Sequence, residues 1–596
     1  MNLGHLFRVE TLDTRFCPRT PDTPLPHTQP SRWRTREYYL YYLCFLTVPI
    51  LMFKAVYDVS QPSHPNYATY EHLLEPGWIP GRKVDNSDSQ YSSFRNQVPT
   101  MLAIVGSHLL LRRVYEYFTT DGKTQHDRLA APEARLRNRV TFDLAFAAAF
   151  VIAMHGVSAL KILIILYLNY QVATAVPKKY AGVATWAFNI GILFANELCR
   201  GYRFASMAAL FLPPQTTAAG LEGEDAGWGL WLDGFAGLVP RWEILFNITV
   251  LRLISFNFDY LWSLDRRAGS PIEKKNLDPA TYTERDRIAL GAQPADFTFR
   301  NYLAYVLYTP LYLIGPILTF NDYIAQSRQP LPSTSRARLW PYALRFALCF
   351  LAMELILHHL YAVAISKSHP DWSTYTPLQL SMLAYFNLHI IWLKLLIPWR
   401  FFRLWALTDT VDPPENMLRC MSNNYSALAF WRGWHRSFNR WIIRYLYVPL
   451  LQRTPPHHQV SKLRQTAIYA TVFTFVALWH DINLKLLLWG WLVVLFILPE
   501  VLARLLFPAH NFAHRPTTYR YLSALGAVAN ILTMMAANLV GFAVGLDGLT
   551  GLVHGIVSSS GGRVFLLGAC AALFVGVQVM FEWRAAERRR GVEMKC

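Results

Sequence analysis

The chain has 596 residues, 53% of them hydrophobic and only 16% charged, with a mean hydropathy of +0.18. Soluble globular chains contain about 45–50% apolar and about 25% charged residues. The apolar excess falls in continuous blocks of roughly 17–25 residues, the length at which a helix crosses a bilayer. These figures exclude a soluble enzyme, a disordered chain and a small secreted domain, and continuous blocks argue against a β-barrel. We therefore predict an all-α polytopic membrane protein.

The net charge of +18 comes from 57 Lys and Arg against 39 Asp and Glu. In a soluble protein this excess would suggest nucleic-acid binding. In a membrane chain, basic residues in loops instead set the orientation of the spans, and we interpret Arg135, Arg137 and Arg139 in this way. The seven cysteines form no C-x-x-C pair and no metal-like spacing, so we expect neither a nucleic-acid partner nor a metal.

The chain divides into two polar tails and one membrane domain. Residues 1–35 are basic and Pro-rich, which is typical of a disordered cytosolic tail, and residues 584–596 form a second basic tail. The membrane domain, residues 36–583, is expected to hold about 10–12 transmembrane and re-entrant segments. Within it, residues 59–97 mix turn formers with aromatics and predict an ordered loop, and residues 263–297 predict a charged loop.

Two apolar blocks carry features that interrupt a simple span. The block around residues 252–260 contains Arg252 and Asp259, which predict either an internal ion pair or a contact with a substrate headgroup. The block at residues 308–316 contains two prolines and a glycine. Proline removes a helical hydrogen bond, so this block predicts a broken helix.

Residues 411–441 are aromatic, basic and polar, and they end in the sequence WRGWHRSFNRW. The segment is too polar to span a membrane and too aromatic for a free loop, which predicts an interfacial or re-entrant segment. If it is helical, His435 and Asn439 share one face. An amphipathic helix anchored by its aromatic side chains is the alternative interpretation.

His480 ends a strongly apolar run between Trp479 and Asp481. Ionisable residues at membrane depth are costly and are therefore functional candidates. Desolvation favours the neutral imidazole, which is the form that a general base requires. Packing at the membrane interface is the alternative role for this histidine.

His435 and His480 are 45 residues apart, each beside tryptophan, and in this pattern the chain resembles the membrane-bound O-acyltransferase superfamily. From about residue 36 to its end, it more specifically resembles the fungal glycerol uptake proteins, also described as acyltransferases that remodel GPI anchors. The segments that carry the resemblance are GWIPGRKVDNSD (77–88), the block at 252–260, YTPLYLIGPILTFNDY (308–323), MSNNYS (421–426), WRGWHRSFNRW (431–441) and ALWHDI (477–482).

The resemblance implies a helical bundle around an internal tunnel, in the endoplasmic reticulum membrane. It implies transfer of a long or very-long-chain acyl group from acyl-CoA, a co-substrate, to a hydroxyl of a lyso-GPI lipid or a GPI-anchored protein, with no further cofactor. His480 would be the general base, and His435 would orient the donor or polarise its carbonyl. The supporting residues would be Asn439, Asp481, Trp434 and Trp479.

Four arginines follow at helical spacing through this segment: Arg432, Arg436, Arg440 and Arg444. In one continuous helix they would form a basic stripe. The stripe would suit the phosphates of CoA, and contact with anionic lipid headgroups is the alternative.

Two other functions stay open at this point. The family name records glycerol uptake, so a proton-coupled glycerol transporter is one, although we find no paired broken helices in two matching halves. A catalytically inactive scaffold is the other, and the presence of both His435 and His480 argues against it. No motif of a serine hydrolase, a zinc protease or an ATP-driven pump occurs.

Overall fold

The structure is a computed structural model that describes residues 28–119, 131–211, 227–239, 241–265, 284–290, 292–452, 462–480, 484–539, 545–592 and 594. Within these ranges nearly all regular structure is helical, which confirms the predicted all-α class. The first thirteen helices are α1 (Arg36–Val59), α2 (Tyr67–Tyr70), α3 (Ser89–Thr119), α4 (Ala131–His155), α5 (Ser158–Ala175), α6 (Lys178–Leu198), α7 (Phe204–Phe211), α8 (Gly227–Asp233), α9 (Trp242–Ser263), α10 (Glu284–Leu290), α11 (Phe299–Val306), α12 (Thr309–Tyr312) and α13 (Phe320–Arg328).

The remaining helices are α14 (Arg336–His359), α15 (Ala362–Lys367), α16 (Pro377–Thr408), α17 (Ala427–Gly433), α18 (Arg436–Ile442), α19 (Val448–Gln452), α20 (Lys462–His480), α21 (Leu484–Leu506), α22 (Pro516–Asn538), α23 (Gly545–Ser558) and α24 (Ser560–Arg589). Short 3-10 turns lie at Glu71–Leu73, Pro294–Asp296, Pro332–Thr334, Trp372–Thr374 and Ala509–Phe512, and a π-helical turn lies at Ile443–Tyr447. The strands β1 (Glu75–Pro76) and β2 (Lys83–Val84) pair antiparallel, with Glu75 opposite Val84.

Seven helices of the described chain are long and apolar enough to cross a membrane: α1, α5, α9, α14, α16, α22 and α24. Two shorter apolar stretches are Ala467–His480 and Leu549–Ser558. Among the seven, α9 and α16 are mostly buried inside the protein, whereas α1 and α24 are mostly exposed. The outer helices therefore present the lipid-facing surface, and α9 and α16 carry the interior chemistry.

Helix α16 begins with strong local signals. Thr376 accepts a hydrogen bond from the amide of Gln379, and the Gln379 side chain accepts one from the Thr376 amide at 2.9 Å. This reciprocal pair, followed by Pro377 in the first turn, is a capping box. It fixes the start of a 32-residue helix that forms one wall of the interior.

The polar loop predicted at residues 59–97 is ordered but shorter than expected, because α3 already begins at Ser89. Before it, the β1–β2 hairpin turns through Gly81, whose φ of 73° suits glycine. Asp85 then accepts hydrogen bonds from the amides of Val363 and Ala364, at 3.0 and 2.9 Å. These bonds satisfy the start of α15 and tie the loop to the bundle.

Part of each predicted tail belongs to the folded bundle or packs against it. The Arg32 amide donates to Glu582 on α24 at 3.1 Å, so residues 28–35 lie against that helix, and residues 1–27 lie outside the described residues. Helix α24 runs on to Arg589, and Arg584 within it donates to the backbone of Asn423 at 2.7 Å. Most of the charged loop predicted at residues 263–297 also lies outside the described residues.

The broken helix predicted at residues 308–316 is confirmed. Helix α11 ends at Val306, α12 covers only Thr309–Tyr312, and residues 313–319 are not helical. The Arg252 guanidinium donates to the Val306 carbonyl at 2.7 Å and also to the Leu311 carbonyl. Carbonyls that a helix break leaves unpaired are thus satisfied by a buried side chain from α9.

The ion pair predicted between Arg252 and Asp259 is wrong. Arg252 serves the broken helix, while Asp259 pairs with Arg444 at 2.9 Å and accepts a bond from the Tyr445 hydroxyl at 3.0 Å. Seven residues apart on α9, the two side chains contact different elements. Asp259 is neutralised by Arg444, and Arg252 is hydrogen-bonded to carbonyls of the broken helix. Both partners are distant in sequence.

The interpretation of Arg139 as a basic loop residue is wrong. This residue is buried on α4, and its guanidinium pairs with the fully buried Asp409 and approaches Asp143. Buried arginines are tolerated where carboxylates compensate their charge. The basic residues of this chain therefore serve interior pairing as well as topology.

Candidate active site

A cavity of about 1940 Å³ lies between α1, α14, α16 and the C-terminal helices α22, α23 and α24. Its lining is mainly aliphatic and aromatic, and His480 and Trp434 both contribute to it. Small-molecule sites usually measure about 300–1,000 Å³. This cavity is therefore larger than a typical small-molecule site, and His480 is part of its wall.

His480 is the last residue of α20, and its side chain is exposed to the cavity. The preceding residue, Trp479, is joined to Asn247 of α9 by two hydrogen bonds. The Trp479 indole donates to the Asn247 carbonyl at 2.7 Å, and the Asn247 side chain donates to the Trp479 carbonyl at 3.0 Å. The end of the helix, and with it the imidazole, is thereby held in place.

His435 lies in the break between α17 and α18, with φ 45° and ψ 52°. This is the left-handed region, which few non-glycine residues adopt. The first turn of α18 is tied to two other segments, because Asn416 accepts from the Ser437 amide at 2.9 Å and the Ser437 hydroxyl accepts from the Ile317 amide at 3.0 Å. Tertiary contacts thus hold His435 out of the helix.

The two histidines flank one stacked aromatic pair. The rings of Phe438 and Trp479 are 4.3 Å apart and nearly parallel. His435 lies 5.3 Å from the Phe438 ring and 6.1 Å from Trp479, and His480 lies 4.7 Å from Trp479 and 6.4 Å from Phe438. Two residues 45 positions apart in sequence therefore meet at one site.

Of the two, His480 lines the cavity, whereas His435 is not among the described residues that line it. His435 instead stacks on Trp399 of α16, with ring centres 4.9 Å apart. Trp399 also packs edge-on against Trp434. His480 is thus placed to meet a ligand directly, and His435 is supported in an aromatic box next to it.

The helical face predicted for His435 and Asn439 is wrong, because the helix breaks at His435. The Asn439 amide donates to the His435 carbonyl at 3.1 Å, which places Asn439 within the first turn of α18. Asp481 lies outside the described residues. Trp434 and Trp479 are both at the site. The Trp479 indole donates its hydrogen bond to the Asn247 carbonyl.

The continuous arginine stripe is also wrong, for the same reason. Arg436 is buried and donates to the Glu415 carbonyl, Arg440 pairs with Glu284, and Arg444 pairs with Asp259. Arg432, on the other side of the break, is exposed. The four side chains do not form one basic face.

A set of buried ion pairs supports the irregular segment before α17. Arg403 donates to Asp412 at 2.7 Å and to Glu415 at 2.9 Å, and Arg400 donates to Glu415 at 3.3 Å. Further on, Arg419 makes two hydrogen bonds to Glu587. Residues 411–419 are buried but not helical. The ion pairs therefore hold in place a segment that has no helical hydrogen bonds of its own.

One group of potential metal ligands occurs in the described chain, at His108, Asp143 and Asp409. Arg112 and Arg139 already pair with these carboxylates. Two guanidinium groups supply the positive charge that a cation would bring. We interpret this group as a structural ion-pair network.

Sequence reasoning missed two polar residues of the cavity, Tyr385 and Ser422, and also the contact of Ser422 with His389. Their signal is weak, because each is an isolated polar residue in or beside an apolar segment. It also missed Asn247, whose partner is 232 residues away. Only the folded arrangement shows what these side chains contact.

Comparison with known proteins places this geometry in context. A sequence model of the MBOAT, membrane-bound O-acyltransferase family matches residues 157–545. The chain is 43% identical to the membrane-bound O-acyltransferase GUP1 of Saccharomyces cerevisiae over 600 residues, which cover 100% of this chain and 99% of that protein. It is 38% identical to gup1 of Schizosaccharomyces pombe, over 99% of this chain and 100% of that protein. A shorter match, 30% identical over 34% of this chain and 40% of that protein, is to the mouse protein-cysteine N-palmitoyltransferase HHAT.

Proposed function

Because the chain belongs to the membrane-bound O-acyltransferase family and is an acyltransferase, we propose that it moves a long or very-long-chain acyl group from acyl-CoA to a hydroxyl of a lyso-GPI lipid, free or attached to a protein. We place this remodelling reaction in the endoplasmic reticulum membrane. The acyl chain occupies the apolar cavity, and the CoA head stays in water.

In this mechanism His480 is the general base. Its imidazole removes the proton from the acceptor hydroxyl as the oxygen attacks the thioester carbonyl, and the CoA thiol leaves with a proton. A thioester is already activated, so a base and a donor to the developing oxyanion are enough. His435 is the candidate for that donor or for orienting the thioester.

One observation carries the proposal: both histidines flank the Phe438–Trp479 pair, and His480 opens into a large apolar cavity. A transferase for lipids needs a proton acceptor at the wall of such a cavity. The same geometry supports a catalytic role, because the end of α20 that carries His480 is anchored to α9 through Trp479.

The test uses the purified full-length chain in detergent, with acyl-CoA of several chain lengths and a lyso-GPI acceptor. His480→Ala should lower the rate of acyl transfer roughly 10²- to 10⁴-fold, the usual contribution of a general base. His514→Ala, which removes an exposed histidine far along the chain, is the matched control and should leave the rate unchanged. Full activity in His480→Ala would contradict the assignment of the base, and absence of transfer to lyso-GPI in the wild type would contradict the acceptor.

A further inference from the structure

A second polar site lies in the same cavity, away from the two histidines of the active site. The polar cluster consists of Tyr385 and His389 on α16 and Ser422 on the irregular segment before α17. His389 Nε2 lies 2.5 Å from the Ser422 hydroxyl, and the Tyr385 hydroxyl lies 2.7 Å from it. All three side chains line the cavity.

The backbone fixes which atoms of the polar cluster donate. His389 Nδ1 lies 2.9 Å from the Tyr385 carbonyl, so Nδ1 carries the proton and Nε2 is an acceptor. The Ser422 hydroxyl therefore donates to Nε2, and the Tyr385 hydroxyl donates to Ser422. Every proton in the polar cluster is used, and the unused positions are lone pairs on the two hydroxyl oxygens. The matching ligand group must supply hydrogen-bond donors.

The polar cluster lies about three helical turns along α16 from the residue that stacks on His435. His389 and Trp399 both lie on α16, ten residues apart, which corresponds to about 15 Å along a helix. Trp399 stacks on His435. A ligand that reaches both places must be extended, with a polar part well removed from the group that reacts.

The charge of the polar cluster limits the class of ligand that it can bind. Tyr385, His389 in its neutral form and Ser422 carry no net charge. Three cations lie elsewhere on the cavity wall: Lys394, which pairs with Asp88 at 2.7 Å, Lys367, which donates to the Ser87 carbonyl, and Arg345. The polar cluster therefore suits uncharged hydroxyl groups rather than a bare phosphate.

We infer that the polar cluster is a headgroup subsite, which receives the hydroxyl-rich headgroup of the acceptor lipid while the acceptor's reacting hydroxyl lies at His480. This inference rests on the proposed function, because it assumes that the cavity holds the acceptor. The polar cluster is a specificity determinant and takes no part in the bond changes.

The test is a binding measurement, which does not depend on turnover. The full-length protein in detergent is titrated with lysophosphatidylinositol, whose headgroup bears several hydroxyls, and with lysophosphatidylmethanol, a phosphodiester of the same charge whose headgroup bears none. The wild type should bind lysophosphatidylinositol more tightly. Ser422→Ala should weaken the binding of lysophosphatidylinositol roughly three- to tenfold, the effect of one lost hydrogen bond, and leave the binding of lysophosphatidylmethanol unchanged.

Two further variants separate recognition from packing. Ser422→Thr keeps the hydroxyl and should keep the preference for lysophosphatidylinositol. Ser381→Ala removes a hydroxyl of the same cavity wall, eight residues from His389 on α16, and should also keep it. Equal wild-type affinity for both lipids, or an equal loss of both in Ser422→Ala, would overturn the inference. A preserved preference without acyl transfer would refute the proposed function and leave the subsite standing.

Discussion

Asn247 and Trp479 are joined by two reciprocal hydrogen bonds between α9 and the last turn of α20, at 3.0 and 2.7 Å. Each residue uses one side-chain donor and one backbone carbonyl. Because His480 follows Trp479 directly, the position of the imidazole depends on this clasp.

We expect Asn247→Ala to lower kcat roughly ten- to hundredfold with little change in the KM for either substrate. The variant removes the side-chain donor to the Trp479 carbonyl, and small displacements of a catalytic group cost rate more than binding. The measurement is steady-state acyl transfer by the purified protein.

Thr249→Val is the control for Asn247→Ala. Thr249 is buried two residues away on α9, and its hydroxyl has no hydrogen-bond partner among the described residues. A near-isosteric change there should leave kcat intact. Equal losses in both variants would show that α9 is merely sensitive to substitution.

His435 combines a chemical and a conformational role, and the two can be separated. Its φ of 45° suits glycine and asparagine but strains a β-branched residue. We expect His435→Gly and His435→Asn to lose most acyl transfer and to melt only somewhat below the wild type, because each loses the ring that stacks on Trp399 but gains no backbone strain. His435→Val should be unstable as well as inactive.

Size-exclusion chromatography of heated samples measures the stability of these His435 variants, and acyl-transfer assays measure their activity. An active His435→Gly protein would show that only the backbone geometry matters. A His435→Val protein as stable as the wild type would contradict the strain argued from φ.

The sequence already indicates His435 and His480 as candidates, because imidazoles are rare in apolar segments and tryptophan marks each one. The geometry around them could not. The break at His435 depends on Asn416, which accepts from the Ser437 amide in the first turn of α18 although it lies outside that helix. A pattern of i and i+4 spacing assumes continuity and has no access to such tertiary contacts.

The same limit explains why the roles of the charged residues Arg139 and Arg252 were predicted wrongly. Arg139 and Arg252 look like any other arginine in sequence, yet one pairs with a buried carboxylate and the other caps a broken helix. The span boundaries were easier, since α1 and α24 follow directly from apolar length. Hydropathy identifies where a helix crosses, and partner choice in the interior depends on the fold.

The buried pairs of Arg403 with Asp412 and Glu415 should be essential for stability. Arg403→Met removes the cation that pairs with the buried Asp412 and one of the two cations that pair with Glu415, and breaking a buried pair costs about 3–5 kcal/mol. We expect the variant to aggregate or to melt well below the wild type on heating in detergent.

Arg504→Ala provides the comparison for Arg403→Met. Arg504 pairs with Glu500 one helical turn away, but its side chain is 62% exposed, and exposed pairs contribute about 0–1 kcal/mol. Its melting temperature should stay near the wild type. Similar melting of both variants would contradict the structural role given to the Arg403 network.

The last prediction concerns the acyl donor. Arg432 is exposed, and no ion pair of it is found among the described residues, whereas Arg440 is already paired with Glu284. We expect Arg432→Gln to raise the KM for acyl-CoA about three- to fivefold, the scale of one exposed charge contact. Arg440→Gln, the matched control, should leave that KM unchanged because its charge is engaged within the protein.

Salt and substrate chemistry distinguish a CoA phosphate from an anionic lipid as the partner of Arg432. Screening weakens exposed charge contacts, so the difference in KM between wild type and Arg432→Gln should shrink as ionic strength rises. It should also shrink with acyl-dephospho-CoA if the terminal phosphate is the contact. An unchanged KM for the donor, with activity that instead loses its dependence on anionic lipid, would assign Arg432 to the membrane surface.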